Sequence, residues 1–229
     1  MIIALIATTT ILTFLTWTLI KSPVWRTIWG ILSLLAFVGS VYILTDHFIN
    51  HTGLTVKSEV TRQPIYTAGE TSLPYGILIY EPLGTKSDNK VLVYRSDKEA
   101  KKASTHFVPN MKKPIQAIKK TSNYTFSNVT KATLVTDTKR YAWHSKLDEI
   151  LYGFAGEGGS LVSQKSTVEL PEKTWLALTA KQAQQLAKIA KTQSQSAASP
   201  KEEEMAKSDP QAYAELQVAA IKKMLHLTN

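Results

Sequence analysis

The chain opens with two long apolar segments joined by a short basic link. Residues 1–20 contain no charged side chain, and residues 24–45 contain only Arg26. At about 1.5 Å of rise per residue, roughly twenty helical residues span the hydrocarbon core of a bilayer. The link, residues 21–26, is too short to leave the interface. The pattern therefore predicts an antiparallel hairpin of two transmembrane helices.

The charges of the link predict how this hairpin is oriented. Lys21 and Arg26 are the only basic residues among the first fifty. Basic residues in short loops stay on the cytoplasmic side, so we expect a cytoplasmic link and residues 51–229 outside the cell. The alternative for the first segment is a cleaved signal peptide. Such a peptide would begin with basic residues and end in a small-x-small cleavage site, and the residues before Lys21 have neither.

Small residues recur every three or four positions along the second segment. Such a ridge lets another helix backbone approach closely. One interpretation is that it packs on the first helix, through Ala4, Ala7 and Thr8. The other is that it is an interface for a transmembrane helix of a partner protein. The candidate partner-helix interface consists of Gly30, Ser33, Ala36, Gly39 and Ser40.

Beyond the hairpin, short apolar runs alternate with turn residues about every ten positions. Residues 53–66 alternate in polarity, and residues 76–80 and 90–94 are continuous apolar runs that indicate a buried β-hairpin. This rhythm favours a small, mostly antiparallel sandwich or barrel. Further strands are predicted at 106–108 within a loop, 124–136 with a bulge, 139–143, 150–154, 161–170 and 175–178.

Two helices are predicted after the strands. Thr179 and Gln182 stand at the spacing of a capping box, and an apolar stripe follows them. Asp209 followed by Pro210 is typical of a second helix start. Residues 192–208 are rich in small and polar residues and are predicted to be a flexible linker. Because a linker would let it detach, we expect the last helix to be dispensable for folding of the strands.

Together these elements predict a membrane-anchored α+β protein of three parts. Residues 1–50 form the transmembrane hairpin, residues 51–178 the extracytoplasmic β domain, and residues 179–229 the C-terminal helices. The last apolar face, formed by Tyr213, Leu216, Ile221, Met224 and Leu225, needs a cover. Its own β domain, the helix that begins at Thr179, a partner and the membrane surface are all open alternatives.

The net charge and the absence of cysteine indicate which kinds of partner and cellular surface fit the outer part of the chain. Residues 51–229 hold 25 of the 27 basic and 17 of the 18 acidic side chains, a net charge of +8. Such a surface favours anionic wall polymers or lipid headgroups, and outside a cell it does not imply nucleic acid, although moderate charge also simply keeps a domain soluble. The absence of cysteine excludes disulfides and thiolate chemistry. It fits a Gram-positive surface better than a eukaryotic secretory pathway.

Two groups of histidine, serine and aspartate residues have spacings that resemble those of metal or catalytic sites. His47 and His51 have metal-ligand spacing if the helix continues, but Gly53 predicts that it ends. His144, Ser145 and Asp148 lack the Gly-x-Ser-x-Gly turn of an activated serine. We therefore assign no catalytic, cofactor-binding or metal-binding residue.

Two stretches between 139 and 160 also suggest binding. Residues 153–160 are rich in glycine but lack the lysine and following helix of a phosphate loop, which favours a wide β-hairpin tip. Aromatic residues and lysines interleave over residues 139–152. They indicate either a surface that stacks on sugars or, more commonly, part of a core.

Three stretches resemble an uncharacterised family of two-helix membrane proteins with an outward domain from lactic acid bacteria. They are residues 34–41 (LLAFVGSV), 153–160 and 175–183 (WLALTAKQA). The resemblance covers about residues 1–190 and carries no catalytic residue. Members are often encoded beside multidrug exporters of the major facilitator type, which implies a transporter as partner.

The expected function is a non-enzymatic accessory protein of the cell membrane that binds an integral membrane partner, such as a transporter, through its hairpin. The alternative is a module that binds anionic cell-wall polymer or glycan, and an exported hydrolase is third. No cofactor is expected.

Overall fold

A computed structural model describes residues 1–84, 88–110, 112–193 and 200–227. Two apolar helices come first, eight strands with two short helices follow, and three helices end the described chain. The elements are α1 (Ile2–Leu19), α2 (Pro23–Asn50), β1 (Leu54–Pro64), β2 (Gly76–Pro82), β3 (Lys90–Tyr94), β4 (Ser104–His106), α3 (Pro114–Ile118), β5 (Lys120–Ser127), β6 (Thr133–Trp143), α4 (Lys146–Tyr152), β7 (Leu161–Pro171), β8 (Trp175–Thr179), α5 (Ala180–Gln193), α6 (Pro200–Ser208) and α7 (Pro210–Met224).

The chain divides into two compact units. The first, which we call the hairpin unit, consists of Met1–Ser58 and Lys139–Val162, and the second, the β unit, consists of Glu59–Thr138 and Ser163–Asn229. The strands form two sheets of four, with the orders β1-β6-β7-β5 and β4-β3-β2-β8. The division passes through β1, β6 and β7.

Both sheets are mixed, because each contains a parallel pair of strands that the prediction of a mostly antiparallel domain did not include. β2 pairs antiparallel with β3, as the apolar runs predicted, but it pairs parallel with β8, and β5 pairs parallel with β7. The physical reason is visible in β2 and β8, whose apolar runs are continuous. Such runs are typical of strands buried on both faces, as in parallel sheets.

The two faces of β2 contribute to different cores of the β unit. Leu78 lies in core A, between the β4-β3-β2-β8 sheet and β7, and Ile77 lies in core B, between that sheet and helices α5 and α7. Core A consists of Ile65, Leu78, Leu92, Tyr94, Ala132, Val168 and Leu170. Core B consists of Tyr75, Ile77, Leu176, Leu178, Leu186, Ala214, Val218 and Ile221.

The C-terminal helices begin where the sequence predicts. Thr179 and Gln182 form a reciprocal capping box: the backbone N–H of Thr179 donates to Gln182 Oε1 at 2.8 Å, and that of Gln182 donates to Thr179 Oγ1 at 3.3 Å. Asp209 caps α7 by accepting the backbone N–H of Ala212 at 3.0 Å. Within the predicted linker, Pro200–Ser208 is helical, and residues 194–199 lie outside the described residues.

The expectation that α7 can detach is contradicted by its burial. Ala214, Val218 and Ile221 are buried in core B. The cover for this helix is therefore its own domain. The apolar face is also rotated relative to the predicted one, because Leu216 and Met224 are exposed.

Two strand predictions were wrong. The predicted strand 124–136 is divided between β5 and β6, and the predicted strand 150–154 is the end of α4 and a 3₁₀ turn, Gly153–Ala155. A helix forms there because Ser145 caps it, accepting the backbone N–H of Asp148. The glycine-rich stretch consequently follows a helix and is not the tip of a β-hairpin.

Candidate functional site

A buried histidine lies in the last turn of α2. This helix is 28 residues long and ends at Asn50, and the next residue, His51, has a left-handed backbone with a φ of 54°. The His47 side chain is 0% exposed and His51 instead packs on the ring of Tyr141, 4.9 Å away. The described residues contain no group of three or more His, Asp or Glu residues that could hold a metal.

The two ring nitrogens of His47 have different partners. Nδ1 lies 2.7 Å from the carbonyl oxygen of Thr52, which can only accept, so Nδ1 carries a hydrogen. Nε2 lies 3.0 Å from Oε2 of Glu157. Both of these atoms are buried and have no other hydrogen-bond partner. His47 Nε2 and Glu157 Oε2 are therefore each other's polar contact in this buried site.

Aromatic rings surround the imidazole. The ring of Tyr152 stacks on His47 with centroids 4.0 Å apart and planes 7° apart, and the ring of Trp143 lies at 6.1 Å and 21°. Burial raises the pKa of Tyr152, so its phenol stays neutral. We call this group of residues (His47, Thr52, Trp143, Tyr152 and Glu157) the histidine site.

The glycine-rich stretch brings Glu157 to the histidine. Gly156 and Gly159 adopt φ of 68° and 79°, which favour glycine. A Cβ on Gly158 would lie 2.5 Å from Nε1 of Trp143, so only glycine fits beneath that ring. The loop is held to β6, because the backbone N–H of Gly159 donates to the carbonyl oxygen of Tyr141 at 2.7 Å. Its glycines thus permit close packing on the histidine site.

Ser145 and Asp148 form the N-terminal cap of α4. The Ser145 hydroxyl donates to Asp148 Oδ2 at 2.6 Å and accepts the backbone N–H of the same residue. The backbone N–H of His144 donates to the carbonyl oxygen of Gly53 at 2.9 Å. This geometry explains the pattern as the start of α4.

The predicted small-residue ridge is divided between two environments. The Ser33 and Thr16 hydroxyl oxygens lie 3.1 Å apart, and those of Ser40 and Thr9 lie 3.5 Å apart. A Cβ on Gly30 would lie 2.7 Å from the ring of Trp17. These contacts form a seam between α1 and α2.

The other two ridge residues lie away from this seam. Ala36 is exposed, and a Cβ on Gly39 would meet nothing within 4 Å. The residues of α1 expected to face the ridge, Ala4, Ala7 and Thr8, are exposed, so that part of the prediction was wrong. Thr9, Thr16 and Trp17 of α1 face the ridge instead.

The β unit carries a separate polar cleft of about 420 Å³. The β5–β7 edge, helix α3 and the loop before it line the cleft. Its side chains include two exposed lysines and several amides: Lys113, Lys120, Asn89, Asn110, Gln116 and Gln164. Such groups suit a small anion or polyol.

The architecture is that of a protein with two apolar helices followed by an α+β unit, which contains mixed sheets and C-terminal helices. The model of a family described as a domain of unknown function, DUF4811, matches residues 22–186, and the chain belongs to this family. The match includes every residue of the histidine site. No curated protein and no solved structure matches the chain.

Proposed function

We propose that this protein is a non-enzymatic accessory protein anchored in the cell membrane by α1 and α2, with residues 51–229 outside the cell. The main support for this proposal is the exposed apolar surface of the two helices. Both are long and apolar enough to cross a bilayer, and only 11% of each apolar segment is buried within the protein. A core helix of a soluble protein would bury most of this surface, so a bilayer is the fitting environment.

The seam supports the same proposal. Within a bilayer, lipid tails are as apolar as leucine, so helices associate through small residues and interhelical hydrogen bonds. The α1–α2 seam has this composition: glycine, serines and threonines. Lys21 lies in the link between α1 and α2, and Arg26 lies in the first turn of α2; the positive-inside rule assigns both to the cytoplasm.

The orientation is testable because the chain has no native cysteine. Single cysteines replace Ser22 in the link and exposed Lys101 in the β unit. We expect a membrane-impermeant maleimide to label the Lys101→Cys variant in intact cells, and the Ser22→Cys variant only after lysis. The reverse pattern would invert the topology, and labelling of both in intact cells would contradict membrane insertion.

The proposed partner is an integral membrane protein, and the resemblance of the chain favours a multidrug exporter of the major facilitator type. Ala36 and Gly39 support a helix interface, since they remain open after the hairpin has packed. We expect such an exporter to co-purify in mild detergent with the wild type but not with a Gly39→Leu variant. Val38→Leu, on a neighbouring exposed position, is the matched control. Equal retention by all three chains would reject this interface.

The cleft in the β unit favours binding of anionic cell-wall polymer or glycan as a second candidate function. Lys113 and Lys120 line it, and residues 51–229 carry a net charge of +8. Retention on purified cell wall should then fall with added salt. It should also fall in a Lys113→Gln, Lys120→Gln variant but not in a Lys139→Gln, Lys181→Gln variant of equal charge. Salt-insensitive retention would reject this candidate.

A further inference from the structure

Helix α4 exposes an apolar stripe. The side chains of Leu147, Ile150 and Phe154 are 64%, 50% and 50% exposed. They stand at i, i+3 and i+7, so they share one side of the helix and the turn that continues it. Tyr152, on the opposite side, is buried against His47. One side of α4 therefore packs against the protein, and a second side, which is also apolar, is exposed.

This stripe continues the apolar surface of the hairpin. Phe48 and Ile49, in the last turn of α2, are 49% and 70% exposed. The ring of Phe48 meets the ring of Phe154 edge to face, with centroids 6.5 Å apart. The exposed apolar surface therefore runs from α2 onto the end of α4 without a polar break at this contact.

Contacts with both helices of the hairpin fix the position of α4. Tyr152 stacks on His47 of α2. The nitrogen of Met1, just before α1, donates to the carbonyl oxygens of Ile150 and Leu151 at 2.6 and 2.9 Å. Helix α4 thus lies at the end of the hairpin opposite the basic link.

We propose that α4 is an interfacial helix whose stripe (Leu147, Ile150 and Phe154, with Phe48 and Ile49) inserts into the headgroup region of the outer leaflet beside the hairpin. This inference rests on the proposed membrane anchoring. The occupant is lipid because the stripe is continuous with the hairpin surface that lipid would cover. Helix α4 carries Lys146 against Asp148 and Glu149, a net charge of −1, so its binding depends on apolar burial and not on attraction to anionic lipid.

Single-cysteine variants of the full-length, cysteine-free chain test the proposal. Leu147→Cys and Ile150→Cys report the stripe, Glu149→Cys the polar side of the same helix, and Leu35→Cys the middle of the hairpin. Each is labelled with an environment-sensitive fluorophore and reconstituted into phosphatidylcholine vesicles. Quenching by a nitroxide on the lipid acyl chain, near the headgroup, is then compared with quenching by aqueous iodide.

We expect lipid nitroxide to quench both stripe positions at least threefold more than Glu149→Cys, and iodide to show the opposite order. Vesicles that contain phosphatidylglycerol should give the same ratio. Equal quenching of the stripe and Glu149→Cys, with strong quenching of Leu35→Cys, would overturn the interfacial helix and leave the anchoring intact. Absence of lipid quenching at Leu35→Cys would overturn the anchoring and this inference with it. Two stripe positions guard against local misfolding of one variant.

Discussion

The two units bury their interiors in different ways. The β unit has two apolar cores on either side of one sheet. In the hairpin unit, α1 and α2 are joined by hydroxyl pairs and by Gly30 packed against Trp17, and His47 of α2 is paired with Glu157. An apolar core gains stability from removal of surface from water. That gain is absent between helices in lipid, where a few polar contacts specify the packing.

The largest expected effect lies in core B. Val218 of α7 is 2% exposed, so Val218→Asp would bury an unpaired carboxylate, at a cost of several kcal/mol, about 3 or more. We expect the β unit to lose its cooperative melting, measured by circular dichroism of the full chain in mild detergent. Leu216→Asp, on the same helix but 55% exposed, should melt like the wild type. Equal melting of the two variants would show that α7 does not contribute to the core.

The next effect concerns the glycine beneath Trp143. In Gly158→Ala the added methyl would displace the indole, and overpacking of this kind costs about 1–3 kcal/mol. Trp143 stacks on His47, so protease sensitivity of the 153–160 loop should rise together with the loss of stability. Gly153→Ala is the control, because Gly153 has a helical φ of −56° and its nearest neighbour would be 3.9 Å away. It should be neutral or slightly stabilising.

A comparable effect is expected from the buried pair. Glu157→Leu leaves Nε2 of His47 buried without a partner, which costs about 1–3 kcal/mol. A His47→Phe, Glu157→Leu variant removes both polar groups and should recover most of the loss in melting temperature. Glu149→Leu, at an exposed glutamate of α4, controls for the loss of charge. If the double variant were the least stable of the three, the pair would contribute to stability by more than giving each buried polar group a partner.

The smallest effect is expected at the seam. Thr16→Val removes one partner of the 3.1 Å contact with Ser33, and interhelical hydrogen bonds of this kind contribute about 0.6 kcal/mol. Thr18→Val is the control, because the Thr18 hydroxyl donates only to the carbonyl oxygen of Phe14 on its own helix. Unfolding of the full chain in mixed micelles would measure both. A loss well above 1 kcal/mol would mean that the seam depends on this contact more than lipid-embedded helices usually do.

Local signals predicted much of the fold. The apolar runs at β2 and β3 gave a hairpin in the right place, and the caps at Thr179 and Asp209 marked two helix starts. The stretch 150–154 was misassigned because a short apolar run fits a strand or a helix equally well. Ser145 with Asp148 three residues later was the available signal for a helix.

The histidine site was beyond local reasoning. His47 and Glu157 are far apart in sequence, and no periodicity relates the end of an apolar helix to a glycine-rich loop. The small-residue ridge was predicted only in part. Its spacing predicted a close contact between helices. Which of its residues face α1 depends on the rotation of both helices, which the sequence pattern does not specify.

The double burial of β2 has a consequence for how the β unit opens. Leu78 and Ile77 are neighbours in sequence and belong to opposite cores, so neither core can separate from the sheet without exposing this strand. Helix α7 and strand β7 are thereby linked through a strand that contributes side chains to both cores. A strand shared by two cores favours cooperative unfolding of the β unit. The backbone amides of β2 would then exchange with deuterium only when the whole β unit unfolds.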